Sequence, residues 1–311
     1  DFPITELMDQ AACYARLVKA IHPDGLSCPR CGGDRFGVHR RHREPIIDYR
    51  CRDCRRVFNA FTGTALQKTG RGPAELMLIL RGIAQGASTA RMARELGCDR
   101  MKLLQLRHKL QEHATAGLDP AVLPDATVEA DECYVNAGEK GIPHRDPDDP
   151  PRRRANKQRG HGTFDNDRPP VAATIGRDSG RACLHVVRNS DRPTLEGLVQ
   201  ATTAPGATLN TDEWRAYGRV GELGRGHATV NHGAGEWARD DDGDGIREVH
   251  CNTMEGTWTG LRNFLRPFRG VSKWHLAGYV AIFEWANNLK RVTDDFLGLL
   301  LGLPRSTDPG S

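Results

Sequence analysis

The stretch "VEADECYV", residues 128–135, decides how this chain is read. Its flanks have the composition of a β-strand, yet it contains Glu129, Asp131 and Glu132. Aspartate is a poor strand former, and a charged carboxylate at a strand end is costly to hide from water. Side chains alternate between the faces of a strand. Glu132 therefore points away from Asp131, whereas Glu129, two residues earlier, shares its face.

Two more acids occupy comparable places. Asp212, in "LNTDEW", closes a second strand, and Glu255, in "HCNTMEGTWTGLRNFLR", opens a helical stretch. Strand ends and a helix on one sheet can bring such distant acids together. Three carboxylates at one point repel each other, so they shift their pKa values or bind divalent cations. Two Mg²⁺ ions about 3.5–4 Å apart would activate a water or a 3′-hydroxyl and steady the leaving oxygen of a phosphodiester. Around these acids the pattern is α/β. "PVAATIGRD" (170–178) and "RACLHVVRN" (181–189) form a hairpin pair, 192–204 suit a helix, "HATVNH" (227–232) is a short strand, and 252–290 are helical. The segment 136–170, rich in charge, Pro and Gly, reads as a loop insert.

The first third of the chain has another character. Leu7, Ala11, Tyr14, Leu17 and Ile21 have helical spacing over residues 1–22. Two C-x-x-C knuckles follow, Cys28–Cys31 and Cys51–Cys54, separated by 19 residues, within the window for a four-cysteine zinc site. Soft thiolates suit tetrahedral Zn²⁺, and four of them leave no open position, so this zinc is structural. Residues 28–56 carry nine Arg against four acids, a balance suited to phosphate contacts. Residues 73–115 are helical, and "ARELGCDRMKLLQLRHKL" reads as helix, turn at Gly97, helix. Its second helix offers Arg100, Lys102, Arg107, His108 and Lys109 to DNA.

At 311 residues the chain exceeds what one core usually fills, so two or three domains are expected. The net charge of +4 is too small to name a partner by itself. No apolar run reaches the roughly 18 residues of a membrane span. Nine cysteines and an acidic start without an apolar core predict a reducing, intracellular setting rather than a disulfide framework. The divisions expected are an N-terminal helix (1–25), a zinc ribbon (26–65), a helix-turn-helix-like segment (70–118), a catalytic domain (125–292) with its insert at about 136–170, and a tail (293–311).

The stretches "CPRCGG…YRCRDCRRVFNAFTGT", "VEADECYV", "TDEWRAYGRV", "VNH" and "HCNTMEGTWTGLRNFLR…GVSKWHLAGYVAIFEWANN" together resemble the DDE transposases of bacterial insertion sequences, in the ISXO-type group with an N-terminal zinc ribbon. The resemblance runs from about residue 5 to 290. It implies an α/β, ribonuclease H-like catalytic core, a mixed sheet flanked by helices, after the four-cysteine ribbon and the helical segment. Asp131, Asp212 and Glu255 match the catalytic, Mg²⁺- or Mn²⁺-binding acids, with Asn252 as the alternative third ligand. A metal would then balance the charge of Asp131 at its strand end. Arg262 matches a basic position where the family usually carries Lys. With Arg266 it would contact the DNA backbone, on a basic face that also holds Arg269 and Lys273. Cys133 and Cys251 depart from the family pattern, without removing an acid.

The function implied is recognition of terminal inverted repeats, metal-dependent strand cleavage and strand transfer into target DNA. The protein would act as a homodimer or larger multimer on DNA, in the cytoplasm and associated with a bacterial nucleoid, with no membrane partner. Two alternatives stay open: a zinc-ribbon DNA-binding protein with an inactive core, and a nuclease without strand transfer. Other features have plainer readings. Trp258, Trp274, Phe264 and Phe268 read as core before base stackers, and His232 and His250 as neighbours of the site. "DDDGDG" (240–245) fails as a calcium loop because its twelfth position is Cys251. "PRRRANKQR" (151–159) is either a DNA contact or a basic loop.

Overall fold

The computed structural model describes residues 9–118, 122–139, 160–290 and 294–302. The chain divides into two compact units, one of residues 1–118 with 289–311, the other of residues 119–288. The stretch 151–159, and the segment 140–159 that contains it, lie outside the described residues.

In the first unit, α1 (Gln10–Ile21) starts where the Asp9 carboxylate accepts from the amides of Ala11 and Ala12, a side-chain cap for donors the helix leaves unpaired. It buries Cys13, Leu17 and Ile21, one face at four-residue spacing. The strands β1 (Phe36–Arg43), β2 (Ile46–Cys51) and β3 (Val57–Phe58) then form an antiparallel sheet in that order. Its apolar cluster is small, with Cys28, Cys51 and Phe58 buried beside Phe36 and Tyr49.

Three helices follow: α2 (Pro73–Ala84), α3 (Thr89–Glu95) and α4 (Arg100–Ala116). Ser88 caps α3, and Asp99 caps α4 by accepting from the Lys102 amide at 2.7 Å. Between them Gly97 takes φ +60°, a conformation only glycine adopts cheaply. Helix, glycine turn and helix therefore form as expected. One of the side chains offered to DNA does not reach it. Arg107 is 1% exposed and donates to the carbonyl of Ala87, because its place on α4 lies between the buried Leu103, Leu106 and Leu110. Arg100, Lys102 and Lys109 are exposed.

The second unit is built on β4 (Thr127–Tyr134), β5 (Pro170–Gly176), β6 (Ala182–Val186), β7 (Thr208–Thr211) and β8 (Gly226–Thr229), with α5 (Arg192–Thr202) between β6 and β7. The sheet order is β6-β5-β4-β7-β8. β5 pairs antiparallel with both neighbours, whereas β4, β7 and β8 run parallel. The oldest strand in sequence is thus central, and only the second is reversed. This is the ribonuclease H-like arrangement. A two-stranded ribbon, β9 (Ala238–Arg239) with β10 (Val249–His250), precedes α6 (Asn252–Leu265) and α7 (Leu276–Leu289).

Alternation on the central strands sorts the core into two layers. Cys133, Val171, Ala173, Ile175 and Leu184 pack with Met254, Trp258, Leu261, Val280 and Phe283 of α6 and α7. Val128, Ala130, Ala172, Cys183 and Leu209 pack on the other face with Leu195, Leu198 and Val199 of α5 and with Tyr217. The β5–β6 turn is held by Asp125, whose carboxylate accepts from the amides of Asp178 and Ser179 and from the Ser179 hydroxyl, each at 2.7 Å. A Cβ at Gly176 would stand 2.0 Å from Asp125 Oδ2, so this approach requires glycine.

Lys273 corrects the expected basic face. It is 6% exposed, with Nζ 3.0 Å from Asp167 and 3.8 Å from Glu139. The turn after α6 carries it inward, where it pairs with an acid near each end of the insert. The expected tail starts with an ordered element, α8 (Asp294–Leu300), which buries Phe296, Leu297 and Leu300 and packs on α1 and α4. Residues 303–311 lie outside the described residues. Among the described residues no helix is long and apolar enough to cross a membrane.

Candidate active site

β4 and β7 are parallel neighbours with Glu129 opposite Asn210. Asp131 lies two residues further along β4, and Asp212 is the residue that follows the last of β7. The parallel pairing thus runs toward both acids, which are far apart in sequence, and the charge of Asp212 acts on Asp131. α6 packs over this face of β4. It carries Asn252 at its first position and Glu255 one turn later, so these two share a helix face. Both are exposed.

Asp131 feels the charges of both Asp212 and Glu255. Burial pushes the Asp131 carboxyl up. A hydrogen bond from Trp258 Nε1 at 2.8 Å opposes that, and the charges of Asp212 and Glu255 raise it further, to about 6. Asp212 is raised as well, first by burial, although the Trp214 amide and the charges of His232 and His161 draw it down. Glu132 faces the opposite layer, as alternation predicts. There Tyr217 donates to it at 3.0 Å and Tyr134 at 3.3 Å. Burial and then the Asp131 charge push it up to about 8. Trp258, expected as core, is buried and also holds the acid.

The same shifts set a stability test. The folded pKa of Asp131 lies above its ordinary 3.8, so its contribution is fully present below that value and is lost as pH rises through about 6. Without added Mg²⁺ or Mn²⁺, Asp131→Asn should therefore melt a few degrees above the wild type at pH 8. A unit of this size shifts by roughly 2–4 °C per kcal/mol. The difference should close below about pH 4. Melting curves at the two pH values check this, and equal midpoints at pH 8 would contradict the burial argument.

Two groups of described side chains converge to within 4.8 Å, the four cysteines and Asp240–Asp242–Asp244. Asp131, Asp212 and Glu255 do not form such a group among the described residues. The aspartate loop is a turn held by its own amides. Gly243 and Gly245 donate to Asp240 at 2.6 and 2.9 Å.

In the cysteine group, Cys28 Sγ lies 3.5 Å from Cys54 Sγ, and Cys31 Sγ 3.6 Å from Cys51 Sγ. Burial pushes the Cys28 thiol up, but the Arg30 and Cys31 amides outweigh it and bring it to about 6. The Gly33 amide lowers Cys31, yet the thiols of Cys54 and Cys51 raise it to about 12. Four sulfurs this close cannot all ionise unaided, and a divalent cation is what would let them. The donor set fits zinc.

Arg262 and Arg266 are both exposed, at the end of α6 and just beyond it. His250 lies 3.3 Å from Glu129 rather than at Asp131. His232 stands by Asp212, and its ring lies 5.0 Å from Trp237. No sequence pattern pointed to Arg177, which pairs with the wholly buried Glu129 at 2.9 Å. Its partner is too distant in sequence for any local pattern to reveal. The Tyr134 and Tyr217 contacts with Glu132 were equally silent, although the alternation of β4 already placed Glu132 on their face.

Residues 123–288 match the family model of the ISXO2-like transposase domain, and residues 8–57 match the transposase zinc-ribbon domain. The chain is 28% identical over 287 residues to a protein described as an uncharacterized protein in transposable element ISH50, from Halobacterium salinarum. The match spans 91% of this chain and 92% of that one. Among solved structures, it is similar to the HTLV-2 integrase catalytic core domain in complex with magnesium, at 14% identity and a TM-score of 0.31, over 56% of this chain and 91% of that one. It is also similar to a simian T-cell lymphotropic virus intasome in complex with the PP2A regulatory subunit B56 gamma, at 13% identity and a TM-score of 0.31, over 69% of each chain.

Proposed function

The chain belongs to the ISXO2-like transposases, and from that premise we propose that it binds the terminal inverted repeats of its element, cleaves them and joins the freed 3′ ends to target DNA. What supports this reading is the parallel pairing of β4 with β7, whose register runs toward Asp131 and Asp212, together with the packing of α6, which bears Glu255, on β4. In this reading the three acids hold two Mg²⁺ or Mn²⁺ ions. Bound there, the ions would neutralise the scissile phosphate and make water or a 3′-hydroxyl a better nucleophile.

The chain's own side chains do the rest. Trp258 keeps the Asp131 carboxylate turned toward the α6 side of the sheet. Arg262 and Arg266 are placed to meet backbone phosphates, which position DNA without reading its sequence. Arg100, Lys102 and Lys109 of α4, with the arginines of the ribbon, would contribute to holding the ends. The four cysteines would hold a structural Zn²⁺. Two ends must be joined to one target, so the working form is a dimer or larger assembly on DNA.

Incubation with DNA carrying the element's own ends, a target plasmid and Mn²⁺ tests the reading. Joined products are expected alongside nicked ends. Cleavage without joining would leave a nuclease, and end binding without cleavage would leave a DNA-binding protein with an inactive core.

A further inference from the structure

We propose that Glu129 and Arg177 are positioning residues: together they fix where α6 begins, and through it where Glu255 stands relative to Asp131. This rests on the reading of Asp131, Asp212 and Glu255 as the active site. At the N-terminus of α6, Cys251 contributes no side-chain bond, and the Asn252 amide reaches only His250 Nδ1 at 3.3 Å. Deeper in the first turn, donors are met from another element of the fold. Glu129 Oε2 accepts from the Met254 amide at 2.8 Å, and Oε1 accepts from Thr253 Oγ1 at 2.9 Å. A carboxylate at this end also suits the helix dipole.

Glu129 is 0% exposed, so its charge needs a partner. Arg177 Nε supplies one at 2.9 Å, while Nη2 donates to the His250 carbonyl at 2.7 Å and Nη1 to that of Glu248. One guanidinium thus grips β4 through Glu129 and the strand that leads into α6. Both oxygens of Glu129 accept from these donors, which makes it a holder of the helix. Asp131 stands two residues further along the same strand face. The bracket therefore ties the first and third acids of the site to one rigid strand.

The test uses the full chain with Glu129→Gln, with the double variant Glu129→Gln/Arg177→Gln, which strands no charge, and with Thr253→Val, which leaves both charges in place. Amide exchange over residues 250–256 should be at least ten-fold faster in the first two and about three-fold faster in the third, with exchange over β5 unchanged. The half-saturating Mn²⁺ concentration, read by electron paramagnetic resonance without DNA, should rise roughly 10–100-fold in the first two, the usual cost of losing a group that orients a ligand. Unchanged exchange at 250–256, or an equal rise throughout β4 and β5, would overturn the proposal. A wild-type chain that takes up no Mn²⁺ would sink the active-site reading instead, and the exchange data would still decide the bracket.

Discussion

Asp131→Asn should lower strand cleavage and joining by at least about 10³-fold while leaving the binding of DNA ends within a few-fold of the wild type. Each factor of ten in rate is about 1.4 kcal/mol of barrier, and losing one electrostatic contact to the transition state commonly costs 10²–10³-fold. Asp131 is half-buried, oriented by Trp258 and close enough to Asp212 and Glu255 to feel both charges. Asparagine keeps its size and an acceptor oxygen but removes the charge that a cation would meet. Asp212→Asn should match it. The third position separates by comparing Glu255→Gln with Asn252→Ala: the larger loss marks the ligand, and Glu255, whose charge reaches Asp131, is expected to show it. Full cleavage by Asp131→Asn would end the assignment of chemistry to this acid. The same substitution should raise the melting point at pH 8, so the residue that the chemistry needs is one that the fold alone would be better without.

Stripping zinc, or replacing Cys51 by Ala, should unfold the sheet of β1 and β2. The apolar cluster there holds only a handful of side chains, and a piece of this size has too little core to stand alone. Structural zinc contributes on the order of 10 kcal/mol to such folds. After chelation, amide exchange across β1 and β2 should complete at the earliest time point, while β4 and β5 stay protected. Zinc analysis should fall from one ion per chain to none. Protected β1 and β2 amides in zinc-free protein would show that the aromatic contacts of Phe36, Tyr49 and Phe58 suffice.

The parts of this molecule that could be read from sequence are those set by short-range rules. Two C-x-x-C knuckles bring their sulfurs together by local turns. Gly97 marks a turn that only glycine makes cheaply, and the alternation in "VEADECYV" sends Glu132 and Glu129 to opposite faces. The acids drew notice as carboxylates at strand ends and a helix start, but an Asp at a strand end is ordinary, and it was the family resemblance that tied the three into one set. What could not be read depends on pairings between distant segments. The fate of Arg107 and Lys273 is one case. Each looked like a cation offered to DNA, and each is buried, because burial follows the helix face or the direction of a turn and not the residue type. Arg177 is another: nothing near it in sequence announces a buried carboxylate, and only the folded sheet sets the two side by side.

The adjacency of β4 and β7, capped by α6, also has a meaning for the chain while it is being made. The first acid leaves the ribosome about 120 residues before the last, an interval on the order of ten seconds at ordinary elongation rates. Throughout that interval the nascent protein has its cysteine knuckles and basic helices, yet lacks the segment that closes the site. On the proposed reading, a growing or prematurely ended chain would hold nucleic acid before it could cut it. The capacity to break DNA would arrive last, only when synthesis has passed the helix that completes the site.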